Sequence, residues 1–539
     1  MCLRFWYNSR TKQMRKLLTK VPVILTTVFT RFAGARCFAV AGFFFFAALL
    51  PSPALSERLE QYFTDTGQLN YAEFLMSAGD YDAAVKEYER LIERFPSSAL
   101  LPLVQFRCAE AEFKAGNYRA SQDNFRLFIS NYSEKEPVLK VIAEQRLAEA
   151  MVLEKKVLMR AAKPQTPVLD PFAGDFAPMR AVQVMFFEGK TIEDISVEMK
   201  RVKQAGVNTI IFRVFHNKDD RYHALARSGV KAGVYFKSSR APVVADILPE
   251  ITSAAHKNGL KIFAWMTTRY ADYGIEGTDS LACKGYDMAS GAFVRCKGLD
   301  LFSEEAVRHI VSLYSELADN DIDGILFQDD LVLRYNEGFG PYARAFFKRE
   351  TGNELTPALL YGAGVSGSSP NYTPLFWKWA GMKNRRLLGV ASRVMDAVRN
   401  KRPQAKFAIN LMYESVTSPA MALAWLSQSM EASVKTGFDY YSVMAYHRQM
   451  GEELSIAPES VKAIIRKMAA DATRIAGSAG KVLLKFQTVD WKTGKALPSD
   501  EVTGLVNDVR DGGLSLAVVP YRRDFPLGWA GGHAFPKDN

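Results

Sequence analysis

From residue 179 onward, apolar runs of strand length alternate with amphipathic helical segments. Runs that are apolar on both faces, separated by helices, indicate a parallel sheet covered on both sides. Eight such units over residues 179–539 predict an α/β fold, specifically a (β/α)₈ barrel. An open doubly wound sheet is the alternative, but the first strand is followed by Phe187-Glu188-Gly189-Lys190 rather than a glycine-rich phosphate loop. The predicted strands are 181–187, 207–215, 260–266, 324–330, 406–413, 439–446, 481–487 and 514–521.

Residues 57–160 have helical spacing instead, and one turn in them is repeated. Ala78-Gly79-Asp80-Tyr81 recurs as Ala115-Gly116-Asn117-Tyr118, and a further helix is expected near 137–157. Small residues where helices cross, with aromatic residues between helix pairs, are typical of tetratricopeptide arrays. We therefore predict an N-terminal all-α, tetratricopeptide-like domain that packs on the barrel or on a partner, with an unrelated helical bundle as the alternative. The proline-rich segment 161–178 is the predicted linker.

Most of the net charge of +11 comes from the first 56 residues. They contain eight Lys or Arg and no acid, so the remaining chain is almost balanced and nucleic acid is not an expected partner. A basic stretch, the apolar run from Cys37 to Leu50 and the following prolines have the order of a secretory signal. We predict export to the periplasm or cell envelope, with an uncleaved membrane anchor as the alternative.

Cysteine and histidine positions bear on redox chemistry and metals. Cys283 and Cys296 lie in one loop-like stretch and would be able to form a disulfide in an oxidising compartment. No Cys/His cluster has the spacing of a zinc site, so neither a metal nor another cofactor is predicted.

The C-terminal ends of the predicted strands carry several acids. Active sites of (β/α)₈ barrels lie at these ends. Asp329 and Asp330 end the fourth strand, and Glu414 and Asp490 follow the fifth and seventh, which makes these four the catalytic candidates. Glycosidic bond cleavage requires one protonated carboxyl and one carboxylate. Because neighbouring strand residues point to opposite sides, one of Asp329 and Asp330 is expected to face the cleft.

Aromatic and polar side chains at the same ends suit a carbohydrate. Flat rings can stack on the apolar faces of sugars, and amide or acidic groups can bind hydroxyls. Core packing of the rings and helix capping by the acids are the alternatives. The predicted substrate-binding residues are Trp265, Tyr413, Asp439, Tyr446, His447, Gln487, Trp491 and Tyr521.

Four segments of the barrel region carry a family likeness: 261–266 (KIFAWM), 323–330 (DGILFQDD), 439–445 (DYYSVMA) and 487–491 (QTVDW). In these, residues 179–526 resemble the C-terminal glycoside-hydrolase domain of the periplasmic poly-β-1,6-N-acetylglucosamine deacetylase/hydrolase family of biofilm polysaccharide export. The resemblance implies hydrolysis of a partly de-N-acetylated β-linked amino-sugar polymer, with Asp329 or Asp330 at the reaction centre.

The sequence also departs from that family. Lys485 stands where the family usually has Glu, and Tyr446-His447-Arg448 replaces Met-Pro-Tyr. These changes keep open an alternative function, a non-catalytic polysaccharide-binding or export scaffold protein. The helical domain occupies the place of the family's deacetylase domain, and an export-machinery protein is its expected partner.

Overall fold

The computed structural model of the protein describes residues 64–161, 178–218, 220–226, 228–275, 277–362 and 372–531. The predicted signal segment and positions 162–177 of the predicted linker lie outside these ranges. Within the described ranges, no helix combines the length and apolar character that are needed to cross a bilayer.

The N-terminal region forms a helical domain, and its repeated turns explain its regularity. Gly79 and Gly116 follow the first and third helices with left-handed backbone (φ 79° and 86°), and the N–H of each donates back to helix carbonyls. Glycine adopts this conformation without steric cost, which is why both copies of the turn contain it. The helices are α1 (Asp65–Ala78), α2 (Tyr81–Arg94), α3 (Leu101–Ala115), α4 (Tyr118–Tyr132) and α5 (Pro137–Ala161).

The second region is a closed barrel of eight parallel strands, which confirms the predicted fold class. The eight strands match the eight predicted runs and, around the barrel, lie in the order β1, β12, β11, β10, β9, β8, β5, β2, with β2 pairing back to β1. Two short two-stranded sheets are inserted in the loops after β2 and β5. The strands are β1 (Arg180–Val184), β2 (Thr209–Arg213), β3 (Phe215–His216), β4 (Gly233–Val234), β5 (Lys261–Met266), β6 (Ala282–Asp287), β7 (Ala292–Leu299), β8 (Gly324–Phe327), β9 (Lys406–Leu411), β10 (Tyr440–Met444), β11 (Val482–Gln487) and β12 (Ser515–Val519).

Helices surround this barrel and cover the outer faces of its strands. Several begin at a side-chain cap; Thr191, for example, forms a capping box with Asp194 at the start of the first. They are α6 (Ile192–Gln204), α7 (Leu248–Lys257), α8 (Glu304–Leu317), α9 (Pro341–Thr351), α10 (Pro357–Tyr361), α11 (Pro374–Arg399), α12 (Glu414–Thr417), α13 (Pro419–Leu426), α14 (Met430–Thr436), α15 (His447–Leu454), α16 (Pro458–Ala476) and α17 (Ser499–Arg510).

The helical domain packs directly on the barrel through α1. The rings of Tyr71 and Trp377 lie 5.1 Å apart, and one continuous cluster of buried apolar residues extends from α1 into the barrel. At Gly381 the backbone of α11 approaches so closely that a Cβ would lie 2.5 Å from the ring of Phe74. Burying large apolar side chains contributes ~1.5–3 kcal/mol each, so this contact orients the two domains.

The predicted disulfide is not present. Cys283 in β6 and Cys296 in β7 are neighbours in the inserted hairpin, but both are free thiols in the described structure. A hydrogen bond with Cys296 and burial raise the pKa of the Cys283 thiol well above its usual value. Because the thiolate is the nucleophilic form, this environment makes Cys283 a weak nucleophile.

Candidate active site

A cavity opens at the C-terminal end of the barrel, where (β/α)₈ proteins have their active sites. Side chains from the ends of all eight barrel strands, or from the residues directly after them, form its floor, and loop residues form its wall. The lining residues are Gln183, Met185, Arg213, Phe215, Asn217, Asp220, Trp265, Gln328, Asp329, Asn410, Met444, Tyr446, Lys485, Trp491 and Val519.

Asp329 is the acidic residue that β8 contributes to this cavity. It follows the strand by two residues, and its Oδ1 atom is buried and has no hydrogen-bond partner among the described residues. Burial raises the pKa of Asp329 to about 6, with Lys485 opposing the shift and Asp330 adding to it. A carboxyl with that pKa is half protonated near pH 6, and in its protonated form it can act as a general acid.

Asp330 points the other way and is built into the loop after β5. Its carboxylate accepts hydrogen bonds from Thr267 Oγ1 (2.7 Å), the backbone N–H of Thr268 (2.9 Å) and that of Tyr270 (2.7 Å). The alternation expected for adjacent residues therefore separates the pair, and Asp329 is the one that lines the cavity. The geometry gives Asp330 a loop-anchoring position.

Lys485 lies on the barrel floor, 1% exposed, on β11. Its Nζ donates one hydrogen bond, to Oε1 of Gln183 at 3.0 Å. Burial lowers the pKa of Lys485 to about 7, and the negative charge of Asp329 opposes that shift. The residue that replaces the family's usual Glu is thus a cation in the same cavity as the candidate acid.

A second charged pair in the cavity was missed in the sequence. Arg213, at the end of β2, pairs with Asp220 (3.1 Å), and each side chain is only 3% exposed. Asp220 also accepts from the backbone N–H of Asn217 at 2.9 Å. The one signal that would have identified the pair is an arginine at the C-terminal end of an otherwise apolar strand, since Asp220 lies in the loop that follows.

Three of the predicted aromatic residues line the cavity. The indole of Trp265 donates to Gln328, and the rings of Tyr446 and Trp491 meet edge to face at 5.4 Å. The structure therefore brings Asp329, Trp265, Tyr446 and Trp491 together, as a sugar-binding cleft requires.

Four other predicted residues lie near the rim but outside the cavity lining. Glu414 is buried at the start of α12, and the Tyr413 hydroxyl donates to Glu453 at 3.0 Å. His447 pairs with Glu501 at 2.6 Å. Gln487 braces the chain by accepting from two backbone N–H groups after β10 and donating to the Val489 carbonyl. Their contacts position loops instead of reaching the floor.

The structure places three more predicted residues outside the cavity lining: the catalytic candidate Asp490 and the substrate-binding candidates Asp439 and Tyr521. Asp439 precedes β10 and accepts from the Phe407 N–H at 2.9 Å, which places it at the N-terminal end of the barrel, opposite the cavity. Asp490 caps its own turn by accepting from the N–H of Thr493. The hydroxyl of Tyr521 accepts from Arg201 on α6, outside the cavity. Acids beside strands commonly cap backbone N–H groups, and two of these three do so.

Within the described part of the chain, no group of three or more His, Cys, Asp or Glu residues has the arrangement of a metal site. The chemistry that the cavity offers comes from the Asp329 carboxyl, the Lys485 amine, the Arg213–Asp220 ion pair and aromatic rings.

Comparison with known protein families and structures agrees with this geometry. Residues 189–517 match the family described as hypothetical glycosyl hydrolase family 13, and residues 67–98 match a tetratricopeptide repeat. A search of curated proteins gave no match.

Solved structures with a similar fold include glycoside hydrolases. The glycoside hydrolase domain of PgaB (BpsB) from Bordetella bronchiseptica is 21% identical with a TM-score of 0.51, covering 65% of this chain and 95% of that one. The β-amylase catalytic domain from Paenibacillus polymyxa (9% identity, TM-score 0.44) covers 65% and 94%. The PelA glycoside hydrolase domain from Pseudomonas aeruginosa (11%, 0.31) covers 65% and 96%. The similarity to the PgaB (BpsB) domain supports the barrel fold.

Proposed function

The chain belongs to the hypothetical glycosyl hydrolase family 13, and from that premise we propose that this glycoside hydrolase cleaves internal linkages of a β-linked amino-sugar exopolysaccharide. The proposed polymer is of the partly de-N-acetylated poly-β-1,6-N-acetylglucosamine type. The observation that carries the proposal is Asp329, a carboxyl with a raised pKa at the C-terminal end of a closed barrel among aromatic rings. The resemblance of residues 179–526 to the hydrolase domain of that polymer's export system supports the choice of substrate.

Asp329 is the proposed general acid. It donates its proton to the glycosidic oxygen as the bond from that oxygen to C1 breaks, and the departing chain leaves with a hydroxyl. A water molecule forms the new bond to C1 and releases a proton, and a proton from solvent restores Asp329 before the next turnover. A positioned general acid contributes roughly 10²–10⁴-fold to such a reaction.

Asp220 is the proposed second carboxylate. It lines the cavity and is held by Arg213 at 3.1 Å and by the Asn217 N–H at 2.9 Å. An ionised carboxylate in the cavity can stabilise the positive charge that develops on the sugar ring in the transition state. Neither Glu414 nor Asp490 has a comparable position.

The cell envelope is the proposed site of action, because the first 56 residues have the order of a secretory signal and the substrate is an exported polymer. We propose that the helical domain binds a protein of the export machinery. Among the described helices of the domain, α1 makes the most extensive contact with the barrel, so surface on the later helices remains for a partner.

The direct test is oligosaccharide release from partly de-N-acetylated poly-β-1,6-glucosamine by the full-length protein. We expect cleavage by the wild type, loss of at least ~100-fold with Asp329→Asn, and near wild-type activity with Glu414→Gln. Binding of the polymer without cleavage by the wild type would refute hydrolysis of this substrate and favour the scaffold function. An equal loss of activity in Asp329→Asn and Glu414→Gln would refute the assignment of Asp329 as the general acid.

A further inference from the structure

Three side chains that line the cavity have hydrogen-bond donors without a full set of partners in the described structure. Arg213 uses Nη1 for Asp220 and Nη2 for the Arg221 carbonyl, while its buried Nε has no partner among the described residues. The indole Nε1 of Trp491 is also buried and has no hydrogen-bond partner among the described residues. Lys485 Nζ makes one of its three possible hydrogen bonds. Such groups only donate, so a ligand that satisfies them must be rich in acceptors.

The charged side chains of the cavity also favour a ligand that supplies negative charge. Arg213 and Asp220 neutralise each other, which leaves Lys485 against Asp329. Lys485 and Asp329 line the same space but do not form an ion pair in the described structure. When Asp329 carries the proton that it needs as general acid, the cavity holds one net positive charge. Burying that charge is costly unless a ligand supplies an anion.

We propose that Lys485, Arg213 and Trp491 form a carboxylate-binding subsite, so that the preferred sugar unit at the barrel floor carries an acidic substituent. The inference rests on the proposed function only in assigning the cavity to a sugar polymer, and it narrows the class of that polymer. A unit with a free ammonium group is disfavoured at this position, because it would be placed near the buried amine of Lys485.

This subsite also couples substrate binding to the acid. Lys485 holds the pKa of Asp329 below the value that burial alone would produce. A substrate carboxylate that pairs with Lys485 neutralises that cation and adds a negative charge, and both effects favour the protonated form of Asp329. Binding of the acidic unit thus favours the protonated form of Asp329, the residue that cleaves the linkage of that unit.

The test uses one β-1,6-glucosamine oligomer in three forms: with free amines, N-acetylated and N-succinylated. The backbone and linkage stay constant while the substituent is cationic, neutral or carboxylate. Binding is measured by calorimetry at low salt with full-length Asp329→Asn protein, so that no turnover occurs. We expect the N-succinylated oligomer to bind at least ~10-fold more tightly than the free amine form, since charge-assisted hydrogen bonds are about twice as strong as neutral ones.

Changing Lys485 then identifies the source of the preference. Lys485→Met should abolish the difference between the oligomers, and Lys485→Glu should reverse it, while Lys467→Met, on the exposed face of α16, should leave it unchanged. Near-ultraviolet circular dichroism checks that each variant is folded. A free amine form that binds as tightly as the succinylated form, or a preference that survives in Lys485→Met, overturns the subsite.

Hydrolysis of the three oligomers by the wild type separates the two proposals. Cleavage without any charge preference in binding refutes the carboxylate subsite and leaves the hydrolase intact. A clear preference for the succinylated form without cleavage of any oligomer supports the subsite and refutes the proposed reaction.

Discussion

Asp329 and Asp330 are adjacent carboxyls with opposite environments, and substituting each by Asn should separate activity from stability. Asp329 faces the cavity with an oxygen that has no partner in the described structure, whereas Asp330 accepts from Thr267, Thr268 and Tyr270. The same chemical change should therefore abolish catalysis at one position and loosen the fold at the other.

The magnitude follows from the hydrogen bonds. All three donors reach Oδ2, so in Asp330→Asn the amide NH₂ takes the place of Oδ1, which lies 3.0 Å from the Thr268 nitrogen, and this buried NH₂ faces another donor instead of an acceptor. An unsatisfied buried donor costs ~1–3 kcal/mol, and we expect a loss of about that size in the free energy of unfolding. Asp329→Asn removes a carboxyl whose ionised form burial disfavours, so stability should stay within about 1 kcal/mol or rise slightly.

Urea unfolding of both variants, followed by near-ultraviolet circular dichroism of the barrel aromatics, measures the stability difference. Hydrolysis is assayed in parallel at low temperature, where both proteins remain folded. Asp329→Asn should lose at least ~100-fold in kcat while Asp330→Asn keeps most of its activity. The reasoning is refuted if Asp330→Asn is as inactive as Asp329→Asn and as stable as the wild type.

Two further predictions concern the acid and the domain contact. Because only protonated Asp329 can act as the acid, kcat/KM for the neutral N-acetylated oligomer should fall as pH rises above about 6. In Lys485→Met this fall should begin about 1 pH unit higher, since the cation that lowers the pKa of Asp329 is gone. A pH–rate profile in which the fall stays in place or moves to lower pH contradicts this. Trp377→Ala removes the ring that packs on Tyr71, so hydrogen exchange of α1 should accelerate while protection of the barrel strands is retained; unchanged exchange over 65–78 would show that the contact does not hold the domain.

The fold was accessible from the sequence because its signals are local. Eight apolar runs separated by amphipathic helices specify buried parallel strands, and a barrel is the arrangement that leaves none of them with an open edge. The repeated turns at Gly79 and Gly116 likewise indicated a left-handed backbone conformation, which glycine adopts most easily. Cys283 and Cys296, which the sequence indicated as able to pair in an oxidising compartment, are neighbouring free thiols in the structure.

The candidate site was only partly accessible. The sequence by itself placed Asp329, Trp265, Tyr446 and Trp491 at strand ends, because in this fold the end of a strand is the rim of the site. It did not separate Asp329 from Asp330, find Asp220 or show that Asp439 lies at the opposite end. Those outcomes depend on which side a carboxylate faces and which N–H groups lie beside it. Residues distant in the chain set both, so only the tertiary structure decided them.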